Sequence, residues 1–593
     1  MDATPAASNL PLRIADFTTL AEALDYAARG KTGYNFYTGG VKLYAKQPYA
    51  QLKEDAQALA RRFIDLGVNR GSRVALVAET HPDFMRFFFA CQYAGLIPVP
   101  LPASVHLGGR QAYVSQLKRL LSICQAEIAM APDGFLAYLK EAAQGLNLRF
   151  LGSPQDFDDL PEPNIRLRPS EPDEVAYLQY TSGSTRFPRG VMITQKAVLS
   201  NLLAICKYGI QVRPEDRAVS WLPYFHDMGL VGLVLAPMAA QLSVDYLSTR
   251  DFAMRPRLWL TLMSKNKGTL SFSPPFGYEL AARRVRADEA GSFNLNSWRV
   301  AGVGAEPIRT EPLEKFADLL APSGFDRRSF VPCYGMAECS LAVTFAPLGQ
   351  GADVDHVDID ALAEAQKARP LHPKQDNDAA RSTNFTNCGA PLPGYEVEIR
   401  DDQGQVLPER HCGALYVKGP SVMSGYFGDL KSTREVLSPD GWLNTGDLAY
   451  RVGNGIVITG RKKDLIIING RNIWPQDLEY IAEQQSEVRT GDASSFSVPD
   501  ANEEERAVMM VQCRESDDQK RGDLRERLHS LIREEFGIDC LIELVPRNTL
   551  PRTTSGKLSR SGARKEYLNR VAAEQVNGPG EDLYAATLSQ RAV

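Results

Sequence analysis

Short apolar runs of β-forming residues alternate along the chain with small or polar turns and stretches of helical period. Residues 74–78 (VALVA) predict a buried strand. Thr80, His81 and Pro82 then open a helix, with proline tolerated in its first turn, and Gly95 closes it. The pattern returns at 175–179, 218–222, 269–273, 299–303 and 330–333, and most of the loops that follow lead into helix-period stretches such as 276–284. Strands alternating with helices predict an α/β fold of doubly wound, parallel sheets. Ligands of such sheets bind beyond the strands' carboxyl ends, so the loops after these runs are the places to look.

The texture changes after about Leu341. Residues 346–382 are rich in Pro, Gln, Asp and Ala, with one weakly amphipathic stretch at 359–367, which reads as an insertion or a disordered excursion. Residues 395–460 carry short strand patterns with tight turns, a β-rich subdomain. A smaller α+β segment follows, with charged helices near 476–487 and 519–535 and a polar loop at 551–557. The expected division is a large N-terminal domain, 1–460, and a small mobile C-terminal lid, 461–593. The last 25 or so residues read as a frayed helix and tail.

Composition narrows the function. The 593 residues hold 44% hydrophobic and 23% charged side chains, ordinary for a globular protein. Lys+Arg number 67 against 72 Asp+Glu, a net −5, so no basic excess points to nucleic acid or an anionic membrane. The longest nearly apolar run, 229–242, falls short of the roughly 18 residues that a bilayer span needs. No basic region followed by an apolar stretch opens the chain, so no signal peptide is expected. Nine cysteines without C-x-x-C spacing read as buried thiols in a reducing, cytoplasmic setting.

Candidate chemistry concentrates in seven stretches. Tyr180 to Gly190 (YTSGSTRFPRG) packs hydroxyls, glycines and two arginines into eleven residues, a composition that closes backbone N–H groups and charge on an anion. It lacks Walker A spacing, and a second β run follows instead of a helix, so a hairpin flap would grip the phosphates. His226 and Asp227, in SWLPYFHDMGL, follow a buried strand. The histidine would orient an anionic substrate or simply fill a structural place. Gly302-Val303-Gly304-Ala305-Glu306-Pro307 would let a flat base approach the backbone, or form a tight turn. Tyr334-Gly335-Met336-Ala337-Glu338 offers an aromatic face and a hard-oxygen ligand for Mg²⁺, or a helix N-terminal charge. Asp447, ending GWLNTGD, suits two ribose hydroxyls or an ordinary turn. Gly460-Arg461-Lys462-Lys463-Asp464 sits at the proposed boundary, and Lys557 in LPRTTSGKL is a catalytic or a surface lysine.

In this order and spacing the motifs resemble the adenylate-forming superfamily of acyl-CoA synthetases, peptide-synthetase adenylation domains and luciferases, over about residues 15–565. Within it the chain is most similar to fatty acyl-AMP ligases. This rests on Arg186 after TSGST, on SWLPYFHDMGL, on SPPFGYEL at 273–280, on GRNIWPQDLE at 470–479 and on the insertion. The resemblance implies that a fatty carboxylate attacks ATP to give acyl-AMP and pyrophosphate. The phosphopantetheine thiol of a separate acyl carrier protein or polyketide or peptide synthase then accepts the acyl group. It implies that Thr181, Ser182, Gly183, Ser184 and Thr185 grip the phosphates, with Arg189 standing where the family usually has lysine. Glu338 would hold Mg²⁺. Gly304, Ala305, Glu306 and Tyr334, with Gly335, Met336 and Ala337 beside them, would frame the adenine. Asp447 and Arg461 would bind the ribose, Lys463 would be the hinge, and Lys557 would bridge carboxylate and α-phosphate, with His226 near the substrate. A fatty acyl-CoA ligase using free CoA and a non-catalytic binding protein are the competing readings.

Overall fold

A computed structural model describes residues 2–103, 109–181, 188–371, 382–468, 471–499, 505–553 and 558–577. The apolar runs become a nine-stranded sheet. In spatial order its strands are Ala390–Pro391, Ala342–Phe345, Phe330–Gly335, Val300–Val303, Leu270–Ser273, Arg217–Ser220, Ser243–Leu247, Gly33–Tyr37 and Leu43–Pro48. The six from Phe330–Gly335 to Gly33–Tyr37 run parallel, and the outer strands are antiparallel. A second, fully parallel sheet holds Ile97–Leu101, Arg73–Val77, Ala126–Met130 and Phe150–Gly152. The helix Pro82–Ala94 starts where the sequence places it: the His81 imidazole accepts the Asp83 N–H, proline occupies the first turn, and Gly95 closes the end at φ 68°.

The strand Val175–Tyr180 departs from the expected parallel pattern. It pairs antiparallel with Gly190–Thr194, which pairs in turn with Gly425–Tyr426. A nine-residue connection is too short for a crossover helix, so the two runs close as a hairpin.

Four antiparallel strands, Glu396–Arg400, Gly413–Lys418, Leu443–Val452 and Gly455–Arg461, make the β-rich part. The chain leaves this sheet at Arg461 and makes one turn, Lys462–Asp464. The strands Ala493–Pro499, Glu505–Gln512 and Cys540–Val545 follow, packed with the helices Pro475–Glu483 and Asp518–Phe536. The last helix, Arg560–Asn577, buries Ala563 and Tyr567 against Phe496 and its neighbours; residues 578–593 lie outside the described residues.

The described part of the insertion is ordered. Val354–Asp358 pairs with Ser382–Thr386, and Asp358 caps the helix Ile359–Ala365. Ile359 packs into the apolar core of the C-terminal part with Ile466, Ile473 and Leu478. Arg471 reaches back to Asp360 at 3.0 Å.

Candidate functional site

The loops at the carboxyl ends of the central strands, one edge of the β-rich sheet and the first helix of the C-terminal part enclose a single cavity of about 1360 Å³. Most of the sequence-derived candidates line it: Thr181, Arg189, His226, Gly304, Ala305, Glu306, Tyr334, Gly335, Met336, Ala337, Glu338, Asp447, Arg461 and Lys463. Ser182, Gly183, Ser184, Thr185 and Lys557 lie outside the described residues. The two ends of the 181–189 segment are held together, since the Thr181 N–H donates to the Arg189 carbonyl at 3.1 Å.

Two glycines make the floor possible. A Cβ on Gly304 would stand 2.9 Å from the Cys333 carbonyl of the neighbouring strand, and one on Gly335 would collide with the Leu341 carbonyl. Ala305 sits at φ 70°, a conformation uncommon for a residue with a Cβ, at the point where the backbone opens into the cavity.

Beside this floor lies a polar triad centred on the buried Asp447. Antiparallel register sets Asp447 directly opposite Arg461. Arg461 Nε stands 3.2 Å from Asp447 Oδ1, and the Tyr334 hydroxyl donates to Asp447 Oδ2 at 2.6 Å. The aspartate's own N–H donates to Thr445 Oγ1 at 3.1 Å, fixing the turn that presents it. Burial raises the Asp447 carboxyl above the ordinary carboxylate range, and the guanidinium opposes that rise. Removal from water also lowers the Lys463 ammonium, assisted by the positive charge of Arg461.

Glu338 lies in a single 3₁₀ turn, Ala337–Cys339, rather than at a helix N-terminus. It is buried; the Tyr426 hydroxyl donates to its Oε1 at 2.9 Å, and Arg189 lies 5.1 Å from the centre of the same tyrosine ring. Desolvation raises its carboxyl, so an arriving cation would relieve a cost already built into the fold. No cluster of three His, Cys, Asp or Glu suited to a metal occurs among the described residues. One carboxylate nonetheless fits Mg²⁺, which keeps waters and takes substrate phosphate oxygens for its remaining ligands.

From the floor, an apolar arm runs back along the sheet between Ile205, Val212, Leu233, Leu270, Phe272 and Phe345. Leu233, Phe272 and Phe276 line the cavity. Tyr278 is core, its hydroxyl donating to the Gly302 carbonyl at 2.9 Å. Gln179 donates to the Phe225 carbonyl at 2.7 Å and so supports the loop that carries His226.

Sequence reasoning missed the groups that brace the C-terminal part and its junction with the rest of the chain. Arg309 meets Glu483 at 3.0 Å, donates to the Gln476 carbonyl at 2.6 Å and lies over the Tyr480 ring. Arg560 grips Glu479 at 2.7 Å and Asp464 at 3.3 Å. Between them Asp477 has a buried Oδ2 without a hydrogen-bond partner, and desolvation pushes its carboxyl up to about 7. Arg309, Glu483 and Arg560 lie outside every quoted motif, whereas Asp464 sits in GRKKD and Gln476, Asp477 and Glu479 sit in GRNIWPQDLE. Tyr426 was equally silent, because only strand pairing brings it to Glu338.

Among the described residues no helix is long and apolar enough to cross a membrane. Residues 25–427 match the family model of AMP-binding enzymes. A Caulobacter vibrioides protein provisionally named an acyl-CoA synthetase is 46% identical over 567 residues, covering 95% of this chain and 98% of its own. A medium-chain-fatty-acid–[acyl-carrier-protein] ligase of Moorena producens is 31% identical over 580 residues, covering 93% and 95%. Among solved structures, a chain from a study of fatty acyl-adenylate ligases of E. coli and L. pneumophila superposes with a TM-score of 0.90 at 48% identity. That match covers 95% of this chain and all of the other.

Proposed function

Since the chain belongs to the AMP-binding enzymes, and among them to the fatty acyl-AMP ligases, we propose that it joins a fatty acid to AMP and passes the acyl group to a carrier-bound thiol. The observation that carries this reading is a polar triad centred on the buried Asp447 and an apolar arm opening into the same cavity. A nucleotide and a lipid chain then meet at the carboxyl ends of the strands.

In the first step a carboxylate oxygen attacks the α-phosphorus of ATP. The bond to the bridging oxygen breaks, and pyrophosphate leaves with the electron pair. Such a displacement asks the protein for positioning and charge neutralisation. Asp447 accepts from the ribose hydroxyls, and Arg461 favours its charged form. Tyr334, Gly304, Ala305 and Glu306 frame the base; residues 181–185 and Arg189 hold the phosphates. Glu338 would ligate Mg²⁺, which supplies positive charge to the phosphate oxygens. Lys557 neutralises charge between carboxylate and α-phosphate, and His226 lies at the mouth of the arm. In the second step a phosphopantetheine thiol attacks the acyl carbon, loses its proton and displaces AMP. The C-terminal part, 461–593, turns about Lys463 between the steps.

A carrier protein or synthase as the acceptor is supported by the insertion's packing on the C-terminal part, which would restrain the opening that free CoA needs. Nine free cysteines, eight of them buried, suit a cytoplasmic setting. Lys557→Ala should lower fatty-acid-dependent ATP–pyrophosphate exchange at least about a hundredfold, the scale of losing one transition-state charge partner. Melting should be unchanged; unaltered exchange would remove Lys557 from the mechanism.

A further inference from the structure

One wall of the apolar arm is built from two π-helical stretches, Ala204–Gly209 and Val231–Leu235. Such turns are rare and gather at functional sites. The second has a cause in the sequence. Pro237 has no N–H to give the Leu233 carbonyl four residues back, and its ring would press on that same oxygen in an α-helix. The helix widens instead, and the Ala236 N–H bonds to Val231, five residues earlier.

Carbonyls displaced in this way need donors from elsewhere. The Tyr246 hydroxyl donates to the Leu233 carbonyl at 2.7 Å, and the Tyr34 hydroxyl donates to the Val234 carbonyl at 2.9 Å. Both tyrosines are fully buried and come from one face of adjacent parallel strands, where Phe36 is registered with Tyr246 and Tyr34 with Val244. Gly232 belongs to the widened turn and lines the arm. A Cβ there would lie 3.1 Å from Leu341 on the opposite wall. A small displacement of this turn therefore changes the width available to a chain.

We propose that Tyr246, assisted by Tyr34, is a positioning residue that sets acyl-chain selection by pegging the π-helical wall through the carbonyl whose α-helical donor Pro237 removes. This rests on the reading that a fatty acyl chain fills the arm. Neither hydroxyl touches the nucleotide side of the cavity, so the effect belongs to one substrate only.

The test is ATP–pyrophosphate exchange with saturated fatty acids from short to long, for wild type, Tyr246→Phe, Pro237→Ala and the double variant. Tyr246→Phe should raise KM for the preferred acid about tenfold, the weight of one buried hydrogen bond, move the chain-length optimum and leave KM for ATP unchanged. Pro237→Ala returns an N–H to Leu233 and should also move the optimum. In that background Tyr246→Phe should add little. An unmoved profile in Tyr246→Phe, with kcat lowered equally for every acid, overturns the proposal. Should Tyr246→Phe fail to fold, an unmoved profile in Pro237→Ala overturns it equally. A wild-type protein active with no fatty acid overturns this inference together with the proposed function; an active wild type with unmoved variants overturns this inference alone.

Discussion

Replacing Asp447 by asparagine separates the two tasks that its carboxyl performs. Without nucleotide, the carboxyl accepts the Tyr334 hydroxyl at 2.6 Å and meets Arg461 at 3.2 Å, and it is only 5% exposed. Asparagine still accepts from Tyr334. It loses the arginine, but that side chain is 49% exposed and can turn to water, so the lost pair costs about 1 kcal/mol or less. Against this stands the relief of a buried charge. A carboxyl raised by burial holds its proton in the fold where the unfolded chain has already released it. Stability therefore falls as pH rises above the unfolded value near 3.8, and asparagine has no such loss. The ligand-free variant should melt no lower than wild type at pH 7. With nucleotide, the variant offers one neutral acceptor oxygen where the carboxylate offers two charged ones. Hydrogen bonds to charged acceptors are worth about 1.5–3 kcal/mol against about 0.5–1.5 for neutral ones. The loss over two ribose hydroxyls is about 2–3 kcal/mol, or about 30- to 150-fold in affinity. Pyrophosphate exchange titrated with ATP measures it, with KM for the fatty acid unchanged. A KM for ATP within threefold of wild type would refute the assignment.

Two further outcomes follow from the contacts between the halves. Asp477, raised to about 7 by burial, should make the wild type lose stability as pH climbs from about 4 to 7; Asp477→Asn should remove that component in melting curves taken across the range. Ile359→Ala truncates the insertion's anchor in the C-terminal core, where burial of such a side chain is worth about 2 kcal/mol or more. It should raise acyl-CoA formation several-fold without changing adenylate formation, read by product analysis with free CoA. An acyl-CoA rate unchanged by Ile359→Ala would show that the insertion does not restrain the acceptor.

The strand–helix alternation was legible because each run buries both faces and ends in a turn whose residues have few conformations. Thr80-His81-Pro82 and Gly95 bound their helix for that reason. The cavity-lining candidates were legible because glycines and charges at strand ends have few other uses. Gly304 and Gly335 are there for want of room, and Asp447 faces Arg461 through register. What stayed hidden is set by pairing across long separations. Tyr426 reaches Glu338 only because a two-residue strand joins the hairpin of 175–194, and Arg309 and Glu483 are 174 residues apart in the chain. Pro237 was visible, yet its consequence was not, because it depends on tyrosines some 200 residues earlier and a strand later. The insertion looked irregular because its short strand finds its partner beyond a polar stretch.

The central claim is that this cavity makes a mixed anhydride between a fatty acid and AMP and holds it for a carrier-bound thiol. Mass spectrometry of the products from purified protein, ATP, Mg²⁺ and a fatty acid, with and without CoA, tests it most directly. The account expects acyl-AMP to accumulate in both reactions with little acyl-CoA; rapid conversion to acyl-CoA would contradict the acceptor, and absence of acyl-AMP with every fatty acid would contradict the whole.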